Sequence, residues 1–263
     1  MYDIFAVLAS VAIGITLGLI GGGGSILTVP VLVYLFAIDP ILSTTYSLFI
    51  VGSTSVVGSI SYIYNKSVNI RTAIVFGIPS VISVYFSRYF ILPAIPDELI
   101  QIGKFQLTKN VFLLLLFAVL MIFASYNMIK RPTNENEEKK SKIKIFGIVL
   151  QGAFVGLLTG LVGAGGGFLI VPAIIIFAKL PMKVAVGTSL IIISANSFIG
   201  FLVAYKSNEI NWNLLLFISG LAILGIFIGM LLSKKIDGAK LKPAFGWFVL
   251  VMGLYIVVKE LIL

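Results

Sequence analysis

Two glycine runs, each set inside an apolar stretch, constrain this chain more than any other feature. Gly21, Gly22, Gly23, Gly24 and Ser25 lead into an apolar segment that reaches Pro30, and Gly163, Ala164, Gly165, Gly166 and Gly167 lead into another that reaches Pro172. The two prolines are 142 residues apart. The same offset pairs Gly14 with Gly156, Gly18 with Gly160, Val29 with Val171, Ser47 with Ser189, Leu48 with Leu190, Gly58 with Gly200 and Asn69 with Asn211, without a gap. In a chain that is 59% hydrophobic, Leu and Ile coincide freely by chance. A register of glycines, a proline and an asparagine does not, so the chain reads as a duplication whose two glycine breaks are its working centre.

Only 11% of the 263 residues are charged, where soluble domains carry about 25%. Several apolar runs approach the ~20 residues that cross a hydrocarbon core as a helix. The fold class is therefore all-α integral membrane, with the lipid bilayer as a partner. The net charge of +9 does not indicate nucleic acid, because the Lys and Arg cluster in loops, as cytoplasmic loops of membrane proteins do. There is no Cys and no His. That removes disulfides, thiolate sites, the usual proton shuttle and the commonest metal ligand. Neither a cofactor nor a metal is expected, and with no nucleophile–base pair in view the chain does not read as an enzyme.

In chain order, a helix over about 2–20 reaches the first glycine run, and the N-terminus lacks a basic leader, so this helix is read as retained. A segment over 25–37 follows, too short to span at about 1.5 Å per residue. Full-length segments are expected at 42–64, 71–92 and 107–129. The second half repeats the plan, with a helix at 145–162, a short segment at 167–178, and full segments at 184–205, 212–233 and 243–261. The domains are thus a first transmembrane repeat over 1–130, a charged linker over 131–143 and a second repeat over 144–263.

Each long–short pair could be one broken span or a hairpin that leaves by the face it entered. With the linker in the cytoplasm, hairpins place 14 of the 19 Lys and Arg inside, whereas broken spans place 10 inside and 9 outside. Only the first split follows the positive-inside bias. A hairpin plus three crossings is an odd number, so the halves are expected to be inverted repeats, with both termini outside and the glycine tips meeting within the cell membrane. That is the architecture of secondary transporters.

Contiguous glycines allow tight reversals and bare backbone N–H groups, which suit an anion. All ten carboxylates lie in loops or at segment ends, so no acid marks a cation or proton path. The candidate substrate-binding residues are Gly22, Gly23, Gly24, Ser25 and Ser47 from the first half, and Gly165, Gly166, Gly167, Thr188, Ser189 and Asn196 from the second. Hydroxyls and amides can donate to an oxyanion without permanent charge, although Ser and Thr also bond their own helix carbonyls. Gly14-x-x-x-Gly18, Gly152-x-x-x-Gly156-x-x-x-Gly160 and Gly225-x-x-x-Gly229 read as helix-packing faces. Arg88 and Lys183 read as interfacial anchors that snorkel.

The stretches Gly18-Leu-Ile-Gly-Gly-Gly-Gly-Ser-Ile-Leu-Thr-Val-Pro30 and Gly160-Leu-Val-Gly-Ala-Gly-Gly-Gly-Phe-Leu-Ile-Val-Pro172 resemble the TauE/SafE family of sulfite exporter or toluene-sulfonate uptake permeases. Ala185-Val-Gly-Thr-Ser-Leu190 and Glu209-Ile-Asn-Trp212 look like that family's second half, while Thr45-Tyr46 departs where the second half has Gly187-Thr188. The resemblance implies transport of a sulfur-containing or organic anion such as sulfite, a sulfonate or sulfoacetate. The residues alone reach a small anionic substrate, carried by alternating access. An anion channel, a scaffold subunit without substrate and a homo-oligomer stay open.

Overall fold

The computed structural model describes residues 4–102, 105–130, 145–205, 209–233 and 238–262; the charged linker expected at 131–143 lies outside them. The first half begins with α1 (Ile4–Ile20), a 3₁₀ stretch at Gly21–Leu27, α2 (Thr28–Tyr34) and α3 (Pro40–Tyr64). Asp39 caps α3, its carboxylate accepting from the N–H of Ile41 at 2.8 Å. Next comes α4 (Ile70–Phe86), which runs on through a π-helical turn at Ser87–Ile91 and a last turn, α5 (Leu92–Ala94). The half ends with α6 (Lys109–Lys130).

The second half comprises α7 (Ile145–Val162), α8 (Gly167–Ala173) with a π-helical turn at Ile174–Ala178, α9 (Met182–Tyr205), α10 (Trp212–Ser233) and α11 (Gly238–Ile262). Six helices among the described residues are long and apolar enough to cross a membrane, and α1 is a shorter apolar helix. Large apolar side chains stand exposed around the molecule, among them Phe5, Ile82, Phe123, Phe154, Leu224 and Val251. That surface suits lipid.

Two details depart from the sequence expectation. Two strands, β1 (Glu98–Ile102) and β2 (Phe105–Thr108), pair antiparallel, so Leu107 belongs to a strand and the helix starts two residues later. The alternation Phe105-Gln106-Leu107-Thr108 carries the strand period. The first glycine run does not open directly into a helix at Ser25. It winds as a 3₁₀ stretch, in which Ser25 Oγ donates to the Gly22 carbonyl at 2.8 Å, and α2 begins only at Thr28.

The halves embrace each other: α1 packs on α10, α7 on α4, α3 on α9 and α6 on α11. Contacts across the halves come in reciprocal pairs related by the same 142 residues. A Cβ on Gly14 would overlap the Ala222 carbonyl, and one on Gly156 the Ser80 carbonyl. Gly58 faces Ile226 and Leu190; Gly200 faces Val84 and Leu48. Gly21 lies against Val186 and Gly163 against Thr44. The Asn69 N–H donates to Thr188 Oγ1 at 2.9 Å, and the Asn211 N–H to the Tyr46 hydroxyl at 2.7 Å. Reciprocity of this kind is what a two-fold relation produces, residue i meeting j while the equivalent of i meets the equivalent of j. Down the central pair, Leu48 meets Gly200, Gly52 meets Ser197 and Gly58 meets Leu190, so α3 and α9 run antiparallel.

Candidate functional site

Both glycine runs reverse the chain by the same device. Gly21 and Gly163 each adopt positive φ, +69° and +74°, directly after α1 and α7. The returning leg then folds onto its own helix, with Gly24 against Thr16 and Leu17, and Gly166 against Thr159. Each of these positions lacks room for a side chain. The second run is the more open turn, with further positive φ at Gly165 and Gly166, so its backbone leaves the helical ladder that the 3₁₀ winding preserves in the first run.

The two legs meet at Gly22 and Gly167, where a Cβ on either would overlap the other's backbone. This crossing sits beside the middle of the central helix pair. Ile193 of α9 touches both Gly22 and Gly165, and Gly165 also faces Val51 of α3 and the hydroxyl of Ser197. Gly22, Gly165, Gly167, Ile193 and Ser197 thus gather at one point; Gly23 lies within the 3₁₀ stretch beside it.

The other residues picked out from the sequence divide. Ser189 is spent on its own helix, its hydroxyl donating to the Val186 carbonyl at 2.8 Å. Thr188 donates to the Val184 carbonyl at 2.6 Å while holding the start of α4 through Asn69. Asn196 reaches α4, its Nδ2 donating to Ser80 Oγ at 2.7 Å, and its Oδ1 has no partner among the described residues. Turning that amide over exchanges the roles without loss, because the Ser80 hydroxyl both donates and accepts; Asn196 then offers donors instead of an acceptor. Ser47 is fully buried and its hydroxyl has no partner among the described residues.

Ser55, Ser197 and Thr28 share that condition. A buried hydroxyl left unmade costs about 1–3 kcal/mol, and Ser197 carries one against Gly165, beside the crossing, free to donate to something else. Ser55 and Ser197 are 142 residues apart, so the repeat register carried the signal that would have singled out this pair. Arg88 corrects the expectation of a snorkelling anchor. It is 3% exposed and points inward, its Nη2 donating to Thr44 Oγ1 at 3.0 Å beside Gly163. The π-helical turn that begins at Ser87 re-aims it, as such insertions do in functional helices.

The fold and this centre define a multi-pass helical membrane protein. The profile of the sulfite exporter TauE/SafE family matches residues 6–256, and the chain belongs to that family of membrane transporters. It is 29% identical over 254 residues to a probable membrane transporter protein of Xylella fastidiosa strain Temecula1, covering 93% of this chain and 91% of that one. It is 30% identical over 264 residues to the probable membrane transporter protein YunE of Bacillus subtilis strain 168, covering 90% of each. A probable membrane transporter protein of Methanocaldococcus jannaschii, MJ0441, is 35% identical over 114 residues, 41% of this chain and 43% of that one. No solved structure matches significantly.

Proposed function

We propose that the protein is a secondary transporter that moves a small sulfur-containing or organic oxyanion, of the sulfite, sulfonate or sulfoacetate kind, across the cell membrane by alternating access. Its halves are inverted repeats, with the linker cytoplasmic and both termini outside. The observation that carries this reading is the crossing of Gly22 and Gly167 beside an antiparallel α3–α9 pair with unpartnered serine hydroxyls. Antiparallel equivalent helices fit an odd number of passes per half; broken spans would leave them parallel. Hydroxyl and amide donors without a carboxylate suit an oxyanion better than a cation. The printed name of the matching family, sulfite exporter, sets the substrate class tested first.

The test is flux in liposomes holding the purified protein. Saturable sulfite flux, faster when the opposite side is preloaded with sulfite, is the expected result. Ser197→Ala removes a hydroxyl with no partner among the described residues, so melting changes little while half-saturation rises roughly tenfold, the worth of one hydrogen bond to a charged group. Saturable flux without acceleration by preloading would favour a channel. No flux above empty liposomes for sulfite, a sulfonate or sulfoacetate would overturn the reading.

A further inference from the structure

Arg88 is the buried charge that the reading above leaves without a task. Nη2 donates to Thr44, but Nε and Nη1 are buried with no partner among the described residues. A guanidinium stays charged in a protein, and an unpaired charge out of water costs several kcal/mol. Ionisable side chains inside membrane segments are retained for what they bind or move. Among the described residues the carboxylates, Asp39, Asp97, Glu98, Glu209 and Glu260, stand outside the helices or at a helix end, so none of them is a counter-charge within a span. The π-helical turn turns this one side chain inward, and Gly163 at φ +74° brings the second tip against Thr44 and Arg88 where any Cβ would collide with them.

The mirror position is different. The residues 142 positions on from Thr44 and Arg88 are Val186, which faces Gly21, and Met230, in a regular stretch of α10. One tip therefore carries a hydroxyl and a fixed positive charge, and its counterpart is apolar. The charged tip lies at the end of the molecule holding the start of α3 and the start of α6, which Asn110 and Asp39 tie together at 2.9 Å. The charged linker follows the other end of α6.

Resting on the anion-transport reading, we propose that Arg88, positioned by Thr44, whose own hydroxyl donates to the Ile41 carbonyl at 2.8 Å, forms an asymmetric anion subsite at the second glycine tip. The guanidinium supplies two donors and the counter-charge for an oxyanion that enters or leaves at the end opposite the linker. The site takes a compact anion with at least two oxygens on one centre, the shape that a guanidinium fork pairs with.

The experiment is thermal melting of the detergent-purified full-length protein across concentrations of sulfite, with chloride as control, in wild type and four variants. Wild type is expected to be stabilised by sulfite and not by chloride. Arg88→Gln is expected to raise the half-saturating sulfite concentration roughly 100-fold or more, the usual consequence of removing one partner of a desolvated charge pair. Arg88→Lys, which keeps the charge and loses the fork, should fall between. Thr44→Val should raise it several-fold, and Met230→Leu at the mirror position should leave it unchanged.

An Arg88→Gln protein that melts lower without anion yet keeps the wild-type half-saturating concentration overturns the subsite and leaves the transport reading standing. If Arg88→Gln does not fold, Thr44→Val decides, and an unchanged half-saturation there overturns the proposal. A wild type stabilised by no oxyanion, together with no flux in liposomes, overturns the transport reading and the subsite with it.

Discussion

Gly22→Ala and Gly167→Ala are each expected to destabilise the protein by about 3 kcal/mol, the upper end of what overpacking costs, and to abolish sulfite flux. The methyl on Gly22 meets the Cα of Gly167 at 2.5 Å and its carbonyl carbon at 2.8 Å. These are backbone atoms and have no rotamer to change. The methyl on Gly167 runs into the Gly22 carbonyl and Cα in the same way. The legs can separate only if a whole hairpin shifts, and that shift is transmitted to Ile193 and the α3–α9 pair. The readouts are thermal melting and liposome flux. A variant that melts like wild type and still transports would show that the crossing is neither tight nor part of the path.

The second large effect concerns the helix pairs. Gly14→Val and Gly156→Val each force a branched side chain onto a neighbouring backbone carbonyl, of Ala222 and Ser80 respectively. Because the two contacts are equivalents, both should cost about 3 kcal/mol or more, and each should sharply lower the yield of monodisperse protein. Internal controls sit on the same or partner helices. A Cβ on Gly147 of α7 or Gly220 of α10 meets nothing within 4 Å. Gly147→Ala and Gly220→Ala should therefore gain about 0.5–1 kcal/mol, the ordinary cost of glycine inside a helix. Equal damage at Gly14 and Gly156 with a gain at the controls would show that reciprocal close packing, not glycine content, holds the halves together.

Much of this architecture was legible before any coordinates. The helix at 145–162 and the span at 212–233 fall where the hydropathy placed them, because a long apolar run has one good solution in lipid. The small-residue faces of α1, α7 and α10 do pack helix on helix. The 142-residue register foretold equivalence but not which equivalents would touch. Three features escaped, each for its own physical reason. The inward turn of Arg88 follows from a π-helical insertion that no local pattern announces, and its nearness to the end of an apolar run imitates a snorkelling anchor. The paired strands β1 and β2 are short and follow an apolar segment that masks their alternation. Thr188 and Ser189 looked available because hydroxyls that bond within their own helix cannot be told by sequence from hydroxyls that stand free. Ser55 and Ser197, whose hydroxyls have no partner among the described residues, had only their register to distinguish them.

The inverted relation of the halves is the central claim, and the absence of cysteine from the chain allows a clean test. Ser67 follows α3 and Glu209 precedes α10, and they are equivalent under the 142-residue offset. Single-cysteine proteins, Ser67→Cys and Glu209→Cys, would be exposed in intact cells to a thiol reagent that does not cross the membrane. Inverted repeats predict labelling of Glu209→Cys from outside, and of Ser67→Cys only after the membrane is opened. Labelling of both from the same side would contradict an odd number of passes per half, and with it the two-fold path through Gly22 and Gly167.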